Sequence, residues 1–525
     1  MPLEMVDDPQ ESNDNSSGSG GGGGGFGGGG LGGGLLGFIP MIFGMMGGRG
    51  GRGGILILLL LIGGGYFLLK KTSCANSSTL SNLFSQSGYH YDPNQFKKAS
   101  VYEGLENDNG KNPLPEAVSL AKFAPDRGDQ KNQGSCVAWS SAYAARTILQ
   151  AAATRQDPNQ TAFSPAFLYN NIAQDGCQGS FIQKAMEFMQ NTGALPLQQF
   201  PYDPNDCSRQ ASGSLMDQAS QYKIHGFTRL TESDDVNGIN IRAIKEHLAK
   251  DAPVVIGMLV GGTFMQDMFG QKVWHPTADD NTQQGFGGHA MCIVGYDDRV
   301  EGGAFQVMNS WGTQWGQDGF AFIRYGDFSN FVREAYGMDP LPKQGAALNI
   351  AFECSVGLMN NETKQYIPLH AGNGNVFTTV NPVTKGTKFK IEIKNALECY
   401  IYLFTPKADG TSFVLFPYKP IHSPYCGITG YRLFPRAESI RADSIGNQDY
   451  MGIVVSKQAL DYKALNDAIN KSSASTYAEK LNEAISANAI TNVNFSATGN
   501  GMINFKAGVN DQKNVVGCVV QIDKQ

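Results

Sequence analysis

The chain has 525 residues, with 41 lysines and arginines against 47 aspartates and glutamates, a formal charge of −6. That length supplies two or more domains with sizeable cores, and so mild an acidic balance excludes a main role in binding nucleic acid. Nine widely spaced cysteines without a CxxC pair exclude a disulfide-scaffold miniprotein and a zinc site of that kind.

Residues 1–52 begin acidic and polar and pass into almost pure glycine. Such a stretch buries too little apolar surface to offset chain entropy, so it is predicted as a disordered tail with one short apolar segment at 35–46. GGILILLLLIGGGYFLLKK follows. The 17 uncharged residues between Arg52 and Lys70 would reach about 25 Å as a helix, and basic flanks favour a transmembrane helix at 53–71. Arg49 and Arg52 oppose Lys70 and Lys71, so flanking charge scarcely orients the span. The reading leans to a single-pass membrane protein with the rest of the chain extracytoplasmic. Residues 72–111, rich in Asn, Ser, Asp and Pro, read as a linker.

DRGDQKNQGSCVAWSSAYAARTILQ comes next. A Gly-Ser turn places Cys136 at the start of an alanine-rich helical run, where the positive end of the helix dipole favours thiolate. A lone cysteine in a helix is more often a packing residue; nucleophilic chemistry also needs a base, a group that holds the base, and oxyanion donors. His289 in GFGGHAMCIVGYDD supplies an imidazole beside a buried apolar strand. Asn309, after the strand AFQVM, offers a carbonyl to orient that ring. Gln130, six residues before Cys136, offers an N–H₂ that could complete an oxyanion hole with the Cys136 backbone N–H.

With these residues in place, 126–140, 285–296 and 305–325 resemble the three signature blocks of the papain-like cysteine peptidases, in family order. They stand here as Gln130 with Gly134-Ser135-Cys136, then Gly288-His289-Ala290, then Asn309-Ser310-Trp311-Gly312 with Trp315-Gly316 and Gly319-Phe320. The resemblance covers roughly 112–342 and implies a two-lobed α+β fold, Cys136 on a helix and His289 and Asn309 on a sheet. It also implies that Gly179 and Ser180 meet substrate by their backbones, that Gly287 lies near a substrate pocket, and that Trp311 shields the His289–Asn309 bond. Gln133 stands where the family usually has a cysteine. Cys177, its usual partner, is left single, as is Cys207, whose partner position is Asn171; the two orphans could pair with each other. The linker lacks the long helical pro-segment of cathepsins, which speaks against activation by pro-peptide removal. No metal or cofactor is implied.

From 348 to 525 the texture changes to short alternating strands at 388–394, 398–406, 412–417, 448–456, 501–507 and 515–523, predicting an antiparallel β-sandwich. A helical insert at 457–490 carries Tyr477, Leu481 and Ile485 on one face. The region resembles a bacterial β-domain family of unknown function, which implies a binding or positioning role toward an unknown partner. The sequence therefore points to a membrane-anchored cysteine endopeptidase acting on protein or peptide substrates by a Cys-His-Asn acyl-enzyme mechanism. The alternatives are a transpeptidase or amidase using the same nucleophile, and a non-enzymatic cell-surface adaptor on a decayed fold.

Overall fold

The computed structural model describes residues 3–7, 88–231, 238–343, 351–510 and 512–525. The predicted span at 53–71 and the apolar segment at 35–46 lie outside them; among the described residues no helix is long and apolar enough to cross a membrane.

The first domain has a helical lobe and a sheet lobe. Its central helix starts at Cys136–Ala138, widens to π-helical bonding over Trp139–Arg146 and returns to α at Thr147–Thr154. Small residues make this possible: Ala138, Ala142, Ala144, Ala145, Ala151 and Ala152 are all buried, so neighbouring elements approach on every side. Helix Pro165–Ile172 packs against it, opened by proline in the first turn and by Ser164, whose hydroxyl accepts from the Phe167 N–H at 3.0 Å. Helix Ile182–Asn191 completes the lobe.

The sheet lobe is built on Val254–Val260 and Gly287–Asp297, antiparallel neighbours that are apolar and buried along most of their length. Strands Ala304–Met308 and Phe320–Arg324 extend the sheet on one side, Val332–Met338 and Phe227–Arg229 on the other. Continuous apolar runs such as VVIGMLV suit strands covered on both faces. The central helix lies against this sheet, so the start of the helix and the middle of the sheet meet along one cleft.

The second domain is a sandwich of two sheets with a shared core that includes Phe352, Ile391, Leu403, Ile453 and Val520. The six predicted strands are all present. The sandwich is not wholly antiparallel, however: Val376–Thr379 runs parallel to Val515–Asp523. The helical insert forms Tyr462–Lys471 and Tyr477–Ile485, the second opened by a Thr476–Glu479 capping box. Tyr477, Leu481 and Ile485 are buried against Tyr402, Phe404 and Val519.

Two expectations give way. Within the tail predicted as disordered, Leu3–Asp7 is a strand paired in antiparallel register with Glu438–Ala442. An edge strand satisfies a neighbour's unpaired backbone groups whatever its own composition, so five residues beside a glycine tract leave no clear side-chain signal. The described part of the presumed linker, 88–111, bonds to the first domain and, from Val101 on, to the second as well, and its first residues lie in the cleft.

Candidate active site

The loop 129–136 brings the two lobes together. Asp129 bridges Trp311, and the Gln130 N–H donates to the Ser310 carbonyl at 2.9 Å. The Gln130 carboxamide is fully buried; Oε1 accepts from the Ser310 hydroxyl at 2.6 Å and Nε2 donates to the Gln133 carbonyl at 2.9 Å. Tyr202 donates to the Gln130 carbonyl, and the Ser135 hydroxyl bonds Tyr202, each at 2.8 Å. Cys136 follows as the first residue of its helix.

His289 is wholly buried in strand Gly287–Asp297. Its Nε2 lies 2.7 Å from Asn309 Oδ1. A carboxamide oxygen only accepts, so the ring proton sits on Nε2 and Nδ1 keeps its lone pair. Oδ1 also accepts from the Ser310 N–H at 2.8 Å, which fixes the amide's orientation. Nδ1 has no protein partner, and the backbone of the next residue, Ala290, lies near the Cys136 sulfur. Trp311 stacks on the imidazole with ring centroids 4.4 Å apart, covering the His289–Asn309 bond. The structure thus brings together Cys136, His289, Asn309 and Trp311, with Gln130 in the loop that leads to the nucleophile.

Cys177 and Cys207 form a disulfide across a Cα separation of 6.1 Å. It secures the turn that presents Gly179 and Ser180; the Cys177 carbonyl accepts from the Tyr169 hydroxyl at 2.6 Å, and that hydroxyl accepts from the Gly179 N–H at 3.2 Å. Gly179 has φ +78°, where a side chain would be strained, and a Cβ there would come within 2.4 Å of the Gly88 carbonyl.

The cleft is filled by the chain itself. The Gly88 N–H points at Cys136 Sγ at 3.2 Å. Ser180 donates to the Gly88 carbonyl at 2.7 Å and accepts from the His90 N–H at 3.0 Å, so Tyr89 runs parallel to Ser180 as a one-residue strand. An amide N–H, not a carbonyl carbon, faces the sulfur; this bond arrangement presents nothing for the thiol to attack.

The Tyr89 ring is buried in a pocket that two glycines make possible. A Cβ on Gly257 would lie 2.2 Å from the ring, and one on Gly288 would lie 2.3 Å from the Tyr89 carbonyl oxygen. Gly288, not Gly287, is therefore the glycine that closes on the occupant; Gly287 pairs with Val260 one step along the strand. Beside the Tyr89 hydroxyl lies the Glu334 carboxyl, bonded by the Tyr336 hydroxyl at 3.0 Å. Burial pushes Glu334 up to about 7, against the pull of those two hydroxyls and of Arg229. Sequence reading missed Tyr89, Gly257 and Glu334. The one visible signal was an acidic residue inside the apolar strand VREAYGM.

Burial pushes the Cys136 thiol up to about 11 and the His289 imidazole down to about 4. At neutral pH the pair is neutral, not the thiolate expected from the helix terminus. Under the occupied cleft, lost hydration outweighs the dipole and the backbone donors to sulfur.

Residues 121–337 match the model of the papain family cysteine protease. An uncharacterized peptidase C1-like protein of Acanthamoeba polyphaga mimivirus is 30% identical over 227 residues, 40% of this chain and 66% of that protein. Cathepsin K of Mus musculus is 25% identical over 214 residues, 40% of this chain and 60% of that protein. This chain thus spans just under two thirds of those two relatives. Among solved structures, xylellain, a cysteine protease from Xylella fastidiosa, is 24% identical with a TM-score of 0.41, covering 49% of this chain and 97% of that one.

Proposed function

From residues 121–337 as a papain-like cysteine peptidase domain, we propose that the chain is a cysteine endopeptidase that hydrolyses protein or peptide substrates through an acyl-enzyme on Cys136, held here in a latent form. The observation that carries this reading is the His289 Nε2 to Asn309 Oδ1 bond at 2.7 Å, with Nδ1 left unpartnered on the strand against which the helix that begins at Cys136 is packed.

Once residues 88–91 leave, water restores the hydration that burial removed, and the Cys136 proton can pass to His289 Nδ1. The thiolate attacks the substrate carbonyl. In this reading the Cys136 backbone N–H and the Gln130 Nε2, which in the latent form donates to the Gln133 carbonyl, meet the oxyanion, a role worth roughly 3–4 kcal/mol per donor in acyl transfer. The imidazolium then protonates the leaving amine, with Asn309 keeping the ring aligned, and water hydrolyses the thioester.

The apolar run at 53–71 supports a membrane-anchored form. The Cys177–Cys207 disulfide supports an extracytoplasmic side for the domain, since such bonds persist in oxidising compartments.

The test is cleavage of a denatured protein by the full chain carrying Tyr89→Gly, which empties the pocket, with and without Cys136→Ala. Turnover that disappears with Cys136 is expected. A folded Tyr89→Gly protein whose Cys136 is alkylated by a thiol reagent but which cleaves nothing would overturn the reading.

A further inference from the structure

Residues 97–112, which follow the cleft segment, lie between the two domains and bond to both. Val101 is the narrowest point. On one side it pairs with Arg229 of the first domain: the Arg229 N–H donates to the Ser100 carbonyl at 2.8 Å, and the Tyr102 N–H to the Arg229 carbonyl at 2.9 Å. On the other side it pairs with His422 of the sandwich: the Val101 N–H donates to the Ile421 carbonyl at 2.8 Å, and the Ser423 N–H to the Val101 carbonyl at 3.3 Å. One residue therefore joins the edge of the peptidase sheet to the sandwich.

The contacts continue beyond it. Arg432, fully buried in the sandwich, donates Nε to the Glu103 carbonyl at 2.9 Å. The Glu106 N–H donates to the Tyr431 carbonyl at 2.8 Å. Asn112 reads both backbone groups of Tyr431, donating Nδ2 to the carbonyl at 3.0 Å and accepting the N–H on Oδ1 at 2.9 Å. Lys111 pairs with the buried Glu392. From the peptidase side, Glu246 accepts from the Tyr102 hydroxyl and the Leu105 N–H, both at 3.2 Å.

We propose that the sandwich domain is the clamp of an internal inhibitor: it holds residues 101–112 against the peptidase domain and thereby keeps Gly88–Tyr91 in the cleft over Cys136. The inference rests on the peptidase reading and assigns the second domain a task within it. The physical ground is preorganisation. A short segment that pairs with the cleft through two backbone bonds to Ser180, one N–H to the Cys136 sulfur and one ring binds weakly if it must be ordered at each encounter. Anchored ten residues away on two rigid surfaces, it returns at a high effective concentration. The buried hydrogen bonds of the clamp are directional, so it holds one register of the segment, the one that seats Tyr89 beside Glu334. Whatever detaches the sandwich from 101–112 unlocks the cleft without touching it.

The experiment measures the rate at which iodoacetamide alkylates Cys136 in the full chain, followed by peptide mass spectrometry, for the wild type, Tyr89→Gly, Asn112→Ala and Val101→Pro. Val101→Pro removes the N–H given to Ile421, and Asn112→Ala removes both bonds to Tyr431. The wild type is expected to react slowly and Tyr89→Gly fast. The two clamp variants should react roughly tenfold faster than wild type, the scale of one or two lost hydrogen bonds. Clamp variants as slow as wild type beside a fast Tyr89→Gly overturn the clamp and leave the peptidase reading intact. A wild type as fast as Tyr89→Gly overturns it as well. Clamp variants that react fast yet cleave no denatured protein keep the clamp and count against the peptidase reading.

If both clamp variants fail to fold, wild type in increasing urea decides. Alkylation should rise together with amide exchange in 101–112 and 421–432, before the sheet strand Gly287–Asp297 exchanges. Alkylation that waits for that strand overturns the proposal.

Discussion

At Asn309 one carbonyl oxygen accepts from both the His289 ring and the Ser310 backbone, so the side chain has a single orientation and transmits it to the imidazole. Trp311 keeps water off that bond. Removing the carboxamide leaves His289 Nδ1 chemically intact but free to rotate away from the nucleophile. In the Tyr89→Gly background, Asn309→Ala should therefore lower kcat/KM by about 10²-fold, mostly through kcat, the cost of misplacing a reacting group. Steady-state rates on a peptide substrate check this. An unchanged kcat would mean that packing under Trp311 alone aligns the ring. Cys136→Ala in the same background should remove turnover altogether, as a lost nucleophile requires.

At the scale of elements, Gly257 is a glycine inside the buried strand Val254–Val260, where it normally weakens a sheet. Here it leaves room for the Tyr89 ring. Gly257→Ala should expel Tyr89, bring Cys136 alkylation close to the Tyr89→Gly rate and lower the melting temperature, because the lost burial of the ring, about 1.5–3 kcal/mol, outweighs the backbone gain of alanine over glycine. Slow alkylation would show that the ring can slide aside in the pocket.

The same strand shows what the sequence made legible. Its apolar run, the alternating strands of the sandwich and the helix face of Tyr477, Leu481 and Ile485 announce themselves because side-chain pattern and burial share a period. Cys136, His289, Asn309 and Gln130 were singled out by the resemblance of three short blocks to one family, since each residue alone reads as well as packing. Strand Leu3–Asp7 and the cleft segment 88–91 were not, since both are held largely by backbone groups that every residue carries. The Tyr89–Glu334 pocket is a meeting of residues 245 positions apart, with no local signature.

Across the whole molecule, the two domains also meet at Asp339, just past strand Val332–Met338. Its carboxyl is 2% exposed and lies against Gly226 of the first domain and Gly427 of the second; a Cβ on either would come within 2.5 Å of a carboxyl oxygen. Oδ2 has no protein partner. Burial first, and then the nearby Glu398, push Asp339 up to about 8. Glu398 remains ionised, drawn down to about 2 by His225, Lys457 and the Tyr425 hydroxyl against its own burial. The folded chain therefore binds the Asp339 proton more tightly than the unfolded chain does. The stability this group contributes is complete below the ordinary carboxyl pKa near 4 and is lost progressively as pH rises to about 8. Asp339→Asn stays neutral throughout. Its advantage over wild type should be small at pH 4, grow between pH 4 and 8, and level off above that at roughly 2 kcal/mol, discounted for relaxation around a buried charge. Urea unfolding of the full chain at pH 4, 6 and 9 measures it. Parallel pH dependences for the two proteins would mean that Asp339 ionises in the folded chain without cost, and that the glycine-lined contact between the domains admits water.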